Sequence, residues 1–62
     1  MRNFISELRV GTIYRDFDGD ICLMLKNKNN NFLIYIVHSI FSYRNGTFFS
    51  TSFSNEVEVL TK

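Results

Sequence analysis

Apolar residues come in short, dense runs along this chain, separated by polar segments rich in Asn, Asp, Ser and Gly. The runs hold β-branched and aromatic residues, are of strand length, and are bounded by turn-forming residues, which is the pattern of short antiparallel strands. Five strands are predicted, over residues 10–16, 20–26, 32–43, 47–51 and 56–60. Asp18-Gly19 and Asn45-Gly46 are both favoured central pairs of the two-residue type I′ hairpin turn, in which both positions take positive φ. Residues 27–31, "NKNNN", read as a polar, flexible connection, and "SFSN", residues 52–55, as a turn. The third strand is long for so small a protein, and a bend is expected at His38-Ser39. The last alternates acids with valines and reads as an edge strand. The first ten residues fit a short helix or an irregular arm, with Phe4, Ile5 and Leu8 on one side. Together these elements predict an all-β protein, a small SH3-like barrel of about five antiparallel strands forming one domain over residues 1–62.

A two-residue turn at Asp18-Gly19 sets Tyr14 opposite Leu23 and Ile13 opposite Met24. Side chains alternate between faces, so one face then carries Val10, Thr12, Tyr14, Ile21, Leu23, Leu25, Leu33, Tyr35 and Val37. The other carries Ile13, Arg15, Phe17, Cys22, Met24, Ile34 and Ile36. Both faces are apolar, whereas a sheet with one wet face alternates apolar and polar positions. Ile13, Met24, Ile34 and Ile36 therefore need a cover: the N-terminal arm, closure of the barrel, or a partner such as a second copy of the chain.

Composition narrows the possibilities. The chain has 62 residues, with seven Phe and three Tyr but no Ala, Pro, Trp or Gln, and its formal net charge is +1. Cys22 is the single cysteine and His38 the single histidine, so an internal disulfide and the usual four-ligand zinc site are both excluded. Charge so balanced lacks the basic stripe of duplex-binding proteins. Residues 1–10 are polar and charged rather than a signal-peptide core, and no apolar run is long enough to span a bilayer, so a cytoplasmic location without membrane contact is expected.

Three pieces of candidate chemistry stand out. Asp16, Asp18 and Asp20 in "DFDGD" resemble the start of a calcium loop, but the glycine comes two residues early and the twelfth position is Asn27 rather than an acid. A turn is the better reading, and no metal or cofactor is expected. Asp20, Cys22 and His38 are the ingredients of a thiol nucleophile with its base and orienting acid. The cluster depends on one assumed register and has no oxyanion loop beside it, so no catalytic residue and no enzymatic activity are expected. Tyr14-Arg15 and Tyr43-Arg44 are aromatic–basic pairs near hairpin tips, and Lys26 and Lys28 flank Asn27, features that suit single-stranded nucleic acid. The three aspartates would repel phosphate from one of those tips. Recognition of a protein is the preferred function, through a patch of Arg15, Phe17, Tyr43, Arg44 and Phe48.

The segment "VGTIYRDFDGDICLML", followed by a polar break and "FLIYIV", resembles small SH3-like barrel proteins of tailed, T-even-like bacteriophages. The resemblance covers about two thirds of the chain and lies at the level of fold, so it transfers no site residue. It implies a phage-encoded protein that binds and modulates one host protein in the host cytoplasm.

Overall fold

The structure is a computed structural model that describes residues 1–61. It is all-β, as the sequence pattern predicts, but it has six strands rather than five. The strands are β1 (Arg2–Phe4), β2 (Ile13–Arg15), β3 (Ile21–Lys28), β4 (Asn31–His38), β5 (Phe48–Thr51) and β6 (Glu56–Thr61). Two single-turn 3₁₀ segments, Ile5–Glu7 and Ser42–Arg44, interrupt them. All six strands belong to one antiparallel sheet in the order β1-β6-β2-β3-β4-β5. No helix among the described residues is long and apolar enough to cross a membrane.

The N-terminal arm supplies the extra strand. Arg2, Asn3 and Phe4 pair with Glu58, Val57 and Glu56, so β6 lies inside the sheet between β1 and β2. The expectation that the last strand is an edge is thereby corrected: its alternating pattern is satisfied by Val57 turning inward while Glu56 and Glu58 meet Arg2 and Arg15. The arm then turns into the core. Ile5 and Leu8 are buried among Tyr14, Cys22, Met24, Phe32, Ile34, Ile36 and Val57. Asn27 holds this turn down, its amide donating to the carbonyls of Leu8 at 2.8 Å and Ser6 at 3.2 Å. The cover over Met24, Ile34 and Ile36 is thus the chain itself.

Of the four expected connections, residues 52–55 run from β5 to β6 as irregular backbone rather than a turn, and the other three each take a different form. Asp16-Phe17-Asp18-Gly19 is a turn closed by the Gly19 amide on the Asp16 carbonyl (3.0 Å), and the Asp16 amide reaches the Asp20 carbonyl (2.8 Å). Gly19 alone in this loop takes positive φ, +91°. This is the three-residue hairpin loop with a glycine bulge, not the two-residue I′ turn. The Asp16 and Asp18 side chains accept the Phe17 and Asp20 amides, at 2.7 and 3.3 Å, as these residues do in turns. The true two-residue turn lies in the Asn segment, where Asn29 (φ 52°) and Asn30 (φ 61°) join Lys28 to Asn31. Asn is the side-chain-bearing residue that best tolerates this region, so the segment is a specified reversal rather than a flexible connection. Asn45 (φ −59°, ψ 132°) and Gly46 (φ +76°) form a type II turn after the second 3₁₀ segment. β4 accordingly stops at His38 instead of running to Tyr43.

One residue more in the first loop turns β2 over. Tyr14 pairs with Cys22 and Ile13 with Leu23. Tyr14 therefore points into the core, fully buried, while Ile13 and Arg15 lie on the outer face. Ile13 leaves the set proposed with Met24, Ile34 and Ile36. It begins instead a cross-strand row on the outer face, Ile13–Leu23–Tyr35–Phe48, each residue directly opposite the next. Such pairs stabilise neighbouring strands at about 0.2–1 kcal/mol each. Bulges at Leu25 in β3 and Val37 in β4 shift the register and bend the long hairpin around the core.

Gly19→Val should cost about 1–2 kcal/mol, because a β-branched residue resists positive φ. Beyond its chain neighbours, nothing among the described residues lies within 4 Å of a Cβ built there, so backbone strain alone carries the loss. Urea denaturation of the variant checks this, and an unchanged midpoint would contradict the loop geometry.

Candidate functional site

The first hairpin loop, the second 3₁₀ segment and the β5–β6 connection converge on a groove of about 200 Å³ that reaches down to the core. Its floor is Ile5 and Ile34, both buried. Phe17, Phe49 and Phe53 form its walls. Phe49 faces inward because it pairs with Ile34, whereas Phe17 and Phe53 stand out from loops, each more than 60 % exposed. Asp16, Asp18, Arg44, Thr51 and Asn55 complete the lining.

The polar lining is held by a small network. The Arg44 guanidinium lies 2.8 Å from Asp20 Oδ2 and 3.6 Å from Asp18 Oδ2. Asp20 is only 2 % exposed and its Oδ1 has no hydrogen-bond partner among the described residues, so Arg44 is the charge that compensates this buried carboxylate. The pair ties the segment before β5 to the start of β3. Asp16 Oδ1 also accepts from Asn55 Nδ2 at 3.2 Å, which fastens the β5–β6 connection to the first loop.

Beside the groove, β5 is an open edge. The Ile36 amide donates to the Thr47 carbonyl at 2.8 Å, and hydrogen-bonded pairs recur at every second residue of an antiparallel ladder. Phe49 and Thr51 therefore bond to β4, while the N–H and C=O groups of Phe48 and Ser50 point to the free edge. The strand, "FFST", carries no charge, proline or bulge to blunt that edge.

The patch expected from the sequence is brought together only in part. Phe17 and Arg44 meet at the groove. Arg15 lies on the outer face, paired with Glu58 at 2.8 Å, in a charged depression shared with Arg2, Glu56 and Phe17. Phe48 ends the outer row at the β5 edge, 65 % exposed. Tyr43 projects from the 3₁₀ segment against Phe41, with ring centroids 6.1 Å apart. Phe49 and Phe53 escaped the sequence reading, although the density of Phe in residues 48–53 was a usable signal. Both aromatic–basic pairs have their guanidinium occupied by carboxylates, Arg15 by Glu58 and Arg44 by Asp20 and Asp18. Tyr14 itself is buried and offers no face for stacking.

Asp20, Cys22 and His38 are not assembled. His38 is exposed at the end of β4 opposite Ile21, Asp20 is engaged by Arg44, and Cys22 points into the core. Among the described residues no group of three or more His, Cys, Asp or Glu side chains is placed to hold a metal ion. Among the described residues the Tyr14 hydroxyl finds no oxygen or nitrogen partner, and it lies beside the Cys22 sulfur. Burial, reinforced by Asp16 and Asp20, pushes the Cys22 thiol up from its ordinary 9.0 to about 12. Burial pushes Tyr14 up as well.

A pH dependence follows. Below the ordinary thiol range, folded and unfolded chains both keep the Cys22 proton. Above it the unfolded chain loses the proton first, so stability falls as pH rises from about 9 towards about 12. The urea midpoint should drop between about pH 7 and about pH 10.5, and drop less in Cys22→Val. Equal drops in both proteins would show that the thiol is not held neutral by the fold.

Comparison of the chain with known protein families, with curated sequences and with solved structures gives no match.

Proposed function

We propose that this protein is a non-enzymatic protein-binding module, an SH3-like barrel left open at the seam between β1 and β5, that captures a segment of a partner along β5. The meander β2-β3-β4-β5 with β6 returning beside β2 supports the barrel reading. The observation that carries the function is the unblunted β5 edge next to a groove whose floor is the hydrophobic core. An added strand would complete the hydrogen bonds of Phe48 and Ser50, extend the outer row beyond Phe48, and set alternate side chains on the groove side. The resemblance to phage barrel proteins makes a protein of the bacterial host the expected partner. Single-stranded nucleic acid is the alternative, and the pairing of Arg15 and Arg44 with carboxylates weighs against it.

Ser50→Pro tests the reading. It removes an edge N–H that β4 does not use, and proline is tolerated on edge strands. A partner captured from bacterial lysate by the wild type, in the presence of nuclease, should be lost with Ser50→Pro while the melting temperature is kept. Capture that survives the substitution would place the interface elsewhere. Capture abolished by nuclease or modest salt would favour nucleic acid.

A further inference from the structure

We infer that the groove beside β5 seats a basic side chain, Arg or Lys, of the segment that pairs with β5. This inference rests on the docking reading above and names the residue that the dock selects.

Asp20 holds Arg44 at 2.8 Å, whereas Asp18 lies 3.6 Å from it, so the one cation among the described lining residues is largely committed to a carboxylate outside the groove. Asp16 and Asp18 then leave the groove lining negative. Both retain acceptor capacity: each uses Oδ1 on a turn amide, Asp16 Oδ1 also accepts from the Asn55 amide, and among the described residues Asp16 Oδ2 has no hydrogen-bond partner and Asp18 Oδ2 only the long contact to Arg44. Apart from Thr51 and Asn55, the remaining lining is apolar and aromatic. Arg and Lys have this dual character, with a methylene stem that buries on apolar surface and a charged head. The stem would lie over Ile34 and Phe49. The head would meet Asp16 and Asp18 in charge-assisted hydrogen bonds, close to the rings of Phe17 and Phe53. A volume of about 200 Å³ suits one long side chain rather than a larger ligand. Strand pairing at Phe48 and Ser50 supplies the backbone register, and every second residue of the added strand faces the groove.

Selection from a random peptide display library on the full chain tests this, followed by titration of an enriched peptide into labelled protein by NMR. The expected result is enriched peptides sharing one Arg or Lys at a fixed position, with the largest amide shifts at Phe48 and Ser50. Asp16→Asn with Asp18→Asn keeps the side-chain oxygens that cap the turn, so it should retain the fold. It should weaken such a peptide at least tenfold, and weaken much less a counterpart whose basic residue is norleucine. Enriched peptides that shift Phe48 and Ser50 but share no basic residue would overturn the basic seat and leave strand docking standing. Arg-bearing peptides that lose no affinity in the double variant would overturn it too. Failure to enrich any peptide, or shifts confined to another surface, would overturn both.

Discussion

Ile34→Glu is expected to unfold this protein. Ile34 is fully buried at the centre of β4, directly opposite Met24 on one side and Phe49 on the other. At roughly 0.05–0.15 kcal/mol per residue, a chain of 62 residues has about 3–9 kcal/mol of stability to lose. Removing the aliphatic side chain costs a large part of that, since substitutions from Ile to Ala lose about 2–5 kcal/mol. A carboxylate left in the core adds a desolvation penalty of several kcal/mol. The groove above Ile34 offers no relief, because Asp16 and Asp18 line it and Arg44 is committed to Asp20. Circular dichroism should show loss of the β signal, whereas Ile34→Val should stay folded and lose about 0.5–1.5 kcal/mol. A folded, monomeric Ile34→Glu protein would mean that the face formed by Met24, Ile34 and Ile36 is not the interior.

Removing residues 1–8 should be as severe. The deletion takes away β1, leaving β6 as an unpaired edge, and withdraws Ile5 and Leu8 from the core. Each is a large side chain no more than 5 % exposed, so by the scale of large-to-small core substitutions the pair is worth about 4–10 kcal/mol. That is comparable to the whole stability of the fold. The truncated chain should bind a hydrophobic dye and aggregate through the uncovered apolar surface. Ile5→Ala gives the graded version, with an expected loss of about 2–5 kcal/mol in urea denaturation. A truncated protein with an unchanged melting temperature would show that the arm merely decorates a complete core.

The functional surface was less legible than the fold. Phe17 and Arg44 drew notice because they flank turn signals, and both line the groove. Their partners Phe49 and Phe53 could not be assigned there without the β4–β5 register and the path of the connection to β6. Nor could the sequence show that Arg44 reaches back across the fold to Asp20. That contact converts a candidate basic patch into a groove of net negative character. The candidate catalytic set failed for a related reason. Its assembly needed His38 to lie opposite Asp20, and the bulge at Val37 sets His38 opposite Ile21 instead.

Local chemistry determined the class of the fold and the places where the chain reverses. β-branched and aromatic runs resist helix, and Gly or Asn must stand where φ becomes positive, as at Gly19, Gly46 and the Asn29-Asn30 pair. The same pattern, apolar on both faces, already required a cover over Met24, Ile34 and Ile36. Tertiary structure decided which elements met that requirement and which side of β2 faced inward. Asp-Gly fits a two-residue loop and also the end of a three-residue loop, at nearly equal local cost. The difference of one residue exchanges Ile13 for Tyr14 in the core. Ile13 and Tyr14 are adjacent and both apolar, so the hydrophobic pattern of β2 could not choose between the two registers. Packing of Tyr14 against Cys22 and the arm is a long-range term, and it was decided only when β1 paired with β6 and carried Ile5 and Leu8 over the sheet.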